Sequence, residues 1–173
     1  IILLLKERRN FTLRFIEYYL KNNLGYNLFI SDGSKKKLDK KTLTKIGENP
    51  LITYKKFKED LNYIVFYKKI ISTLKIIKTK YVLFASNDDF LIYKTIEKCL
   101  KNLKKKNTLN GAGGTIYNFS IKENLKTGFF LHNIKKLYQK RNYEQKTPAK
   151  RIDYYFQSPQ STIHYVMKRK NLL

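Results

Sequence analysis

The chain of 173 residues carries 37 Lys+Arg against 13 Asp+Glu, a net charge of +24 at pH 7. That length suits one domain, and 42% hydrophobic with 14% aromatic residues exclude a disordered basic tail. The lone cysteine, Cys99, excludes an intramolecular disulfide and a Cys-rich zinc site, and it fits a reducing compartment.

The opening apolar run, residues 1–5, is too short for a signal-peptide core and is followed by Lys6, Glu7, Arg8 and Arg9. No run approaches the length of a bilayer span, so a soluble, cytoplasmic protein is expected. The first residue is not methionine, the only one being Met167, and both ends are expected to be cut.

In chain order, residues 1–5, 26–30 and 81–85 are continuous apolar runs, the pattern of strands buried on both faces of a parallel sheet. Between the first two, Leu13, Ile16, Leu20 and Leu24 recur at helical spacing, with Asn10 as N-cap and Gly25 as the stop. Residues 35–41 read as a solvated, charged loop. After Pro50 comes a short apolar run, residues 51–54, and then Tyr67, Ile70, Ile71, Leu74 and Ile77 keep helical spacing up to the third strand. Beyond it Ile92, Ile96, Cys99 and Leu103 form another helical stripe, with Cys99 in the core. Gly111 to Gly114 lacks the Lys-Ser/Thr ending of a phosphate loop and reads as a turn before a strand. Residues 115–120 and 161–168 are β-like, and 123–141 is mixed. Strands alternating with helices predict an α/β fold, a three-layer open, mostly parallel sheet with helices on both faces.

Ligands of such sheets collect at the carboxyl ends of the strands. The second strand ends in Ser31-Asp32-Gly33-Ser34 and the third in Ser86-Asn87-Asp88-Asp89-Phe90, so scarce acids gather on one edge. Asp32 before a glycine also suits a turn, and Asn87 to Asp89 also suit the cap of a helix starting near Leu91. Two oxygen ligands on a fixed turn suit a hard divalent cation, and in an extended stretch Asn87 and Asp89 point the same way.

These motifs, "ISDGS" after the second strand and "FASNDDF" at the third, resemble the donor half of a GT-A-fold, family-2-like glycosyltransferase over the first two thirds of the chain. The resemblance implies a Rossmann-like nucleotide-sugar region at 1–120 and the start of an acceptor-side region or insertion at 121–173. It implies that Asp32 contacts the base or ribose, Asp88 the ribose or phosphate, and Asp89 a Mn²⁺ or Mg²⁺ ion, with Asn87 in the family's first acidic position. Arg8 or Arg9, after the first strand, would balance a pyrophosphate.

The inverting members of that family use a carboxylate base in the acceptor half, and the later acids are Glu97, Glu123, Glu144 and Asp153. Asp153, in "RIDYYFQSP", is the candidate, against a simple loop pairing with Arg151. His164, in "STIHYVMKR", resembles a stretch near the acceptor site, and the other reading is a half-buried strand residue. His132 reads as structural.

The expected activity is metal-assisted transfer of a sugar from a nucleoside diphosphate to a hydroxyl of a glycan or lipid-linked acceptor, in polysaccharide or glycan biosynthesis. The +24 charge would favour peripheral contact with an anionic membrane. Two alternatives are a catalytically degenerate copy, because Asn87 brings no charge, and a basic nucleic-acid-binding domain. The nucleic-acid reading ranks behind: only six of the 37 cations are arginine, and the lysines are spread through every segment.

Overall fold

A computed structural model describes residues 1–22, 25–124, 128–137, 141–159 and 161–173, with the backbone alone described at 123–124 and 128–130. The first elements are β1 (Ile2–Leu5), α1 (Arg9–Asn22), β2 (Leu28–Asp32), α2 (Lys40–Gly47), β3 (Ile52–Lys56) and α3 (Tyr63–Ile76). They are followed by β4 (Tyr81–Ser86), α4 (Tyr93–Lys105) and β5 (Gly111–Ala112). The last are β6 (Tyr117–Asn124), β7 (Gly128–Lys136), α5 (Pro148–Phe156) and β8 (Val166–Lys168).

The chain divides into two compact units, Ile1–Gly113 with Ile163–Leu173, and Gly114–Thr162. The first holds a six-stranded sheet in the order β3-β2-β1-β4-β8-β5. β1 runs parallel to β2 and β4, and β2 parallel to β3; β8 is antiparallel to both β4 and β5. This is the expected α/β class with a mostly parallel sheet.

Both sheet faces are covered, which is why the strand sequences do not alternate in polarity. On one face Leu3, Leu5, Ile30 and Leu83 pack with Phe15, Ile16 and Tyr19 of α1, Ile46 of α2 and Ile96, Cys99 and Leu103 of α4. On the other, Ile2, Val82 and Phe84 pack with Leu74 of α3. Each such fully buried side chain contributes roughly 1.5–3 kcal/mol of transfer free energy.

Several expectations are corrected. Residues 35–41 are not all loop: Asp39 caps α2, accepting from the Thr42 N–H at 3.1 Å, and α2 buries Thr42 and Ile46 while its lysines face out. Asn10 lies inside α1 rather than capping it; Gly25 has the left-handed φ of +64° expected of a stop, and Leu24 lies outside the described residues. Gly111 and Ala112 are strand, not turn, because they pair with Met167 and Val166. Residues 163–173, expected with the acceptor-side region, rejoin the first unit because β8 inserts between β4 and β5, with Leu83 opposite Val166.

The second unit contains the antiparallel β6–β7 hairpin and α5. Thr147 caps α5 with Pro148 in its first turn, and the Tyr143 ring meets those of Tyr154 and Tyr155, each 5.8 Å away. Among the described residues no helix is long and apolar enough to cross a membrane.

Candidate functional site

The turns that follow β1, β2 and β4 lie side by side, because Leu5 pairs with Asp32 and Leu4 with Ser86. In the middle turn Glu7 and Arg8 both have φ of +53°. Non-glycine residues there cost about 1–3 kcal/mol each unless neighbours fix them. They do: the Glu7 N–H donates to Ser34 Oγ at 2.7 Å, and the Lys35 N–H donates to Glu7 Oε1 at 2.6 Å. From the other side Asn87 Nδ2 donates to the carbonyls of Glu7 and Arg8, both at 3.3 Å, and to Thr12 Oγ1 at 3.0 Å.

Asn87 is therefore buried with its amide turned inward, a clamp on the β1–α1 turn rather than a group projecting beside Asp89. The extended geometry expected of this stretch is absent, since residues 86–89 turn: the Asp89 N–H donates to the Ser86 carbonyl at 3.3 Å. The acids do not cap α4 either. Its N-cap is Ile92, with no side-chain bond.

Asp32 is 0% exposed. Its Oδ1 accepts from the Ser34 N–H at 2.8 Å and its Oδ2 from the Tyr54 hydroxyl at 2.5 Å, so both oxygens serve the turn and β3. Burial, followed by the bond to Asp32, pushes the Tyr54 phenol well above its usual range.

Beneath this turn lies a buried ion pair that sequence reasoning missed. Lys69 of α3 bonds the Asp60 carboxylate and donates to the Leu5 carbonyl at 3.2 Å, and both side chains are 2% exposed. Burial draws the Lys69 pKa down, and Asp60 opposes it. The other oxygen, Asp60 Oδ1, is buried without a hydrogen-bond partner. The carboxylate rests where a Gly33 side chain would begin: an added Cβ would lie 2.2 Å from Asp60 Oδ2. The signal available was the Glu59-Asp60 pair shortly after the apolar run at 51–54, one of the few acidic stretches in the chain.

On the exposed side, Arg8 Nη1 and Asp88 Oδ2 form an ion pair at 2.5 Å with side chains 59% and 40% exposed. Arg14 of α1, also missed, donates to the Asp88 carbonyl at 2.9 Å and lies 4.6 Å from the Phe90 ring centroid. Asp89 Oδ2 accepts from the Ser86 N–H at 3.3 Å and lies 3.6 Å from His164 Nδ1. The sequence marks His164 as a candidate near the acceptor site, but its proximity to Asp89 has no signal in the sequence.

No family model and no curated protein matches this chain.

The structure pairs Arg8 with Asp88, while the neighbouring Asp89 faces Ser86 and His164 and Asn87 holds the Arg8 carbonyl. Asp32 shares the edge, on the far side of β1, two strand spacings or about 10 Å from β4. Among the described residues no group of three His, Cys, Asp or Glu is gathered as a metal site. Arg9 pairs with Asp39 at 2.6 Å and stands apart from Asp88. Asp153 lies in α5 of the second unit rather than in a loop; its carboxylate accepts from Gln157 at 3.4 Å, while Arg151 donates to the Gln145 carbonyl at 2.6 Å.

Proposed function

We propose that the strand-end edge is the donor site of a metal-assisted glycosyltransferase that takes a nucleoside-diphosphate sugar. The observation that carries this reading is the Arg8–Asp88 pair with Asp89 beside Asp88: Arg8 sits on a turn fixed from both sides by Ser34 and Asn87, and the two acids sit on the adjoining 86–89 turn. A site whose polar groups are held in advance loses little entropy on binding.

The chemistry of the donor set fits a hard cation held chiefly by its ligand. Asp89, 38% exposed, would supply the protein carboxylate, and diphosphate oxygens and water the rest. Such an ion would neutralise charge developing on a departing diphosphate. Arg8 keeps most of its five donors free of Asp88, so its guanidinium can turn toward the diphosphate while Asp88 holds its position. Asp32 serves the site indirectly, by shaping the Gly33-Ser34 turn on which Glu7 leans.

The inward amide of Asn87 favours a second reading, a donor site that binds without turnover. Calorimetric titration of UDP-, GDP- and dTDP-sugars with and without Mn²⁺ tests both. Metal-dependent binding with sugar release supports the transferase; metal-independent binding without release supports the degenerate site; no binding of any donor overturns both.

A further inference from the structure

The helix richest in apolar residues turns the wrong way for a core helix. The buried side chains of α3 are Lys69, Thr73 and Leu74, two of them polar. Meanwhile Tyr63, Ile64, Tyr67 and Ile71 are 81%, 67%, 59% and 45% exposed, and Leu61 just before the helix is 68% exposed. At 3.6 residues per turn the four helical positions fall within an arc of about 100°, so they form one stripe along the outer surface. A contiguous exposed apolar face of this kind marks an interaction surface.

Along the helix itself, beyond Glu59 and Asp60 that precede it, the charge is of one sign. From Leu61 to Asn87 the sequence contains no Asp or Glu, and Lys68, Lys75, Lys78 and Lys80 are all exposed. At the C-terminal end of α3, Arg169 donates to the carbonyls of Leu74 and Thr79, at 3.2 and 3.1 Å. That contact puts the helix end beside a recess of about 360 Å³ lined by Lys80, Asn107, Lys168, Arg169 and Lys170. Aromatic and aliphatic side chains with a lysine border are the chemistry of a helix lying in the headgroup layer of an anionic bilayer. Lysines on long stems suit diffuse attraction to lipid phosphates better than geometric reading of a partner.

We propose that the outer face of α3 docks on an anionic lipid surface, with Tyr63, Ile64, Tyr67 and Ile71 entering the interface and the cationic recess at its C-terminal end taking a lipid phosphate. The docking does not depend on the reading of the strand-end site.

The test is co-sedimentation of the full chain with vesicles of pure phosphatidylcholine and with vesicles in which about a third of the lipid is phosphatidylglycerol, at about 0.1 M salt. The expected result is binding to the anionic vesicles only, reduced roughly tenfold or more by Ile64→Ser with Ile71→Ser, and separately by Lys68→Glu with Lys75→Glu. These positions are exposed, so thermal unfolding of the variants should match the parent. Free inorganic phosphate, which reproduces the headgroup charge without a surface, should compete only weakly. Three results would overturn the proposal: no binding to anionic vesicles, full binding by the Ser variant, or a dimer in sedimentation equilibrium that the Ser substitutions dissolve while vesicle binding persists. Nucleotide-sugar binding by the same variants should be unchanged, which separates failure of this proposal from failure of the donor-site reading.

Discussion

Asn87 donates its side-chain amide to the Thr12 hydroxyl at 3.0 Å, joining the end of β4 to the first turns of α1. Thr12 in turn donates to the Arg8 carbonyl at 3.3 Å, so a two-step relay fixes the residue whose guanidinium meets Asp88. The position that the family resemblance assigns to a metal-binding acid is here a structural donor.

Asn87→Ala leaves the Glu7 and Arg8 carbonyls without their donor and should cost roughly 1–3 kcal/mol in urea unfolding. Asn87→Asp should cost at least as much, because it sets a carboxylate against those carbonyl oxygens. An Asp variant as stable as the parent would show that the side chain does not face inward.

Gly33→Ala drives a methyl group into the Asp60 carboxylate and disturbs its pairing with Lys69. Overpacking alone costs about 1–3 kcal/mol, and breaking a buried pair about 3–5 kcal/mol. The alanine variant should therefore lose about 3 kcal/mol or more by chemical denaturation. Lys69→Met with Asp60→Asn, which removes both charges together, should be better tolerated than Asp60→Asn alone.

Asp39 provides the pH test. Bonds from Thr42, side chain first and then backbone, with the Arg9 charge adding to them, hold its carboxyl below the usual 3.8. A carboxylate whose folded pKa is depressed contributes stability above its unfolded pKa and loses that contribution as pH falls through the folded value. The cap of α2 should thus be intact at pH 5 and weaken only below 3.8, which carboxyl-carbon NMR titration of Asp39 would read directly. A midpoint above 3.8 would contradict the capping geometry.

What the sequence made legible follows from burial. The three main strands could be found because both sheet faces are covered, leaving continuous apolar runs. Cys99 was legible as core because it shares the helical stripe of Ile96 and Leu103. By contrast α2 hid inside a lysine block, since Leu38, Thr42 and Ile46 are buried and Leu43 packs against the core while the lysines between them face out. Strand β8 lies inside the stretch that reads as β-like, 161–168, but its place in the sheet was hidden, because its partners, Tyr81 to Leu83 and the two-residue β5, are distant in sequence. At the site, the shared edge of Asp32, Asp88 and Asp89 could be read from strand ends, but side-chain direction could not. The turn at 86–89 breaks the two-residue alternation on which the pairing of Asn87 with Asp89 relied.

The most direct measurement of the central claim is calorimetric titration of nucleoside-diphosphate sugars with Mn²⁺ into the parent chain and Asp89→Ala. The donor-site account predicts Mn²⁺-dependent binding that the alanine variant weakens about tenfold or more, with only a small loss in thermal unfolding, because half-buried Asp89 gives up one long bond from the Ser86 N–H. Equal binding by parent and variant would contradict the assignment of Asp89.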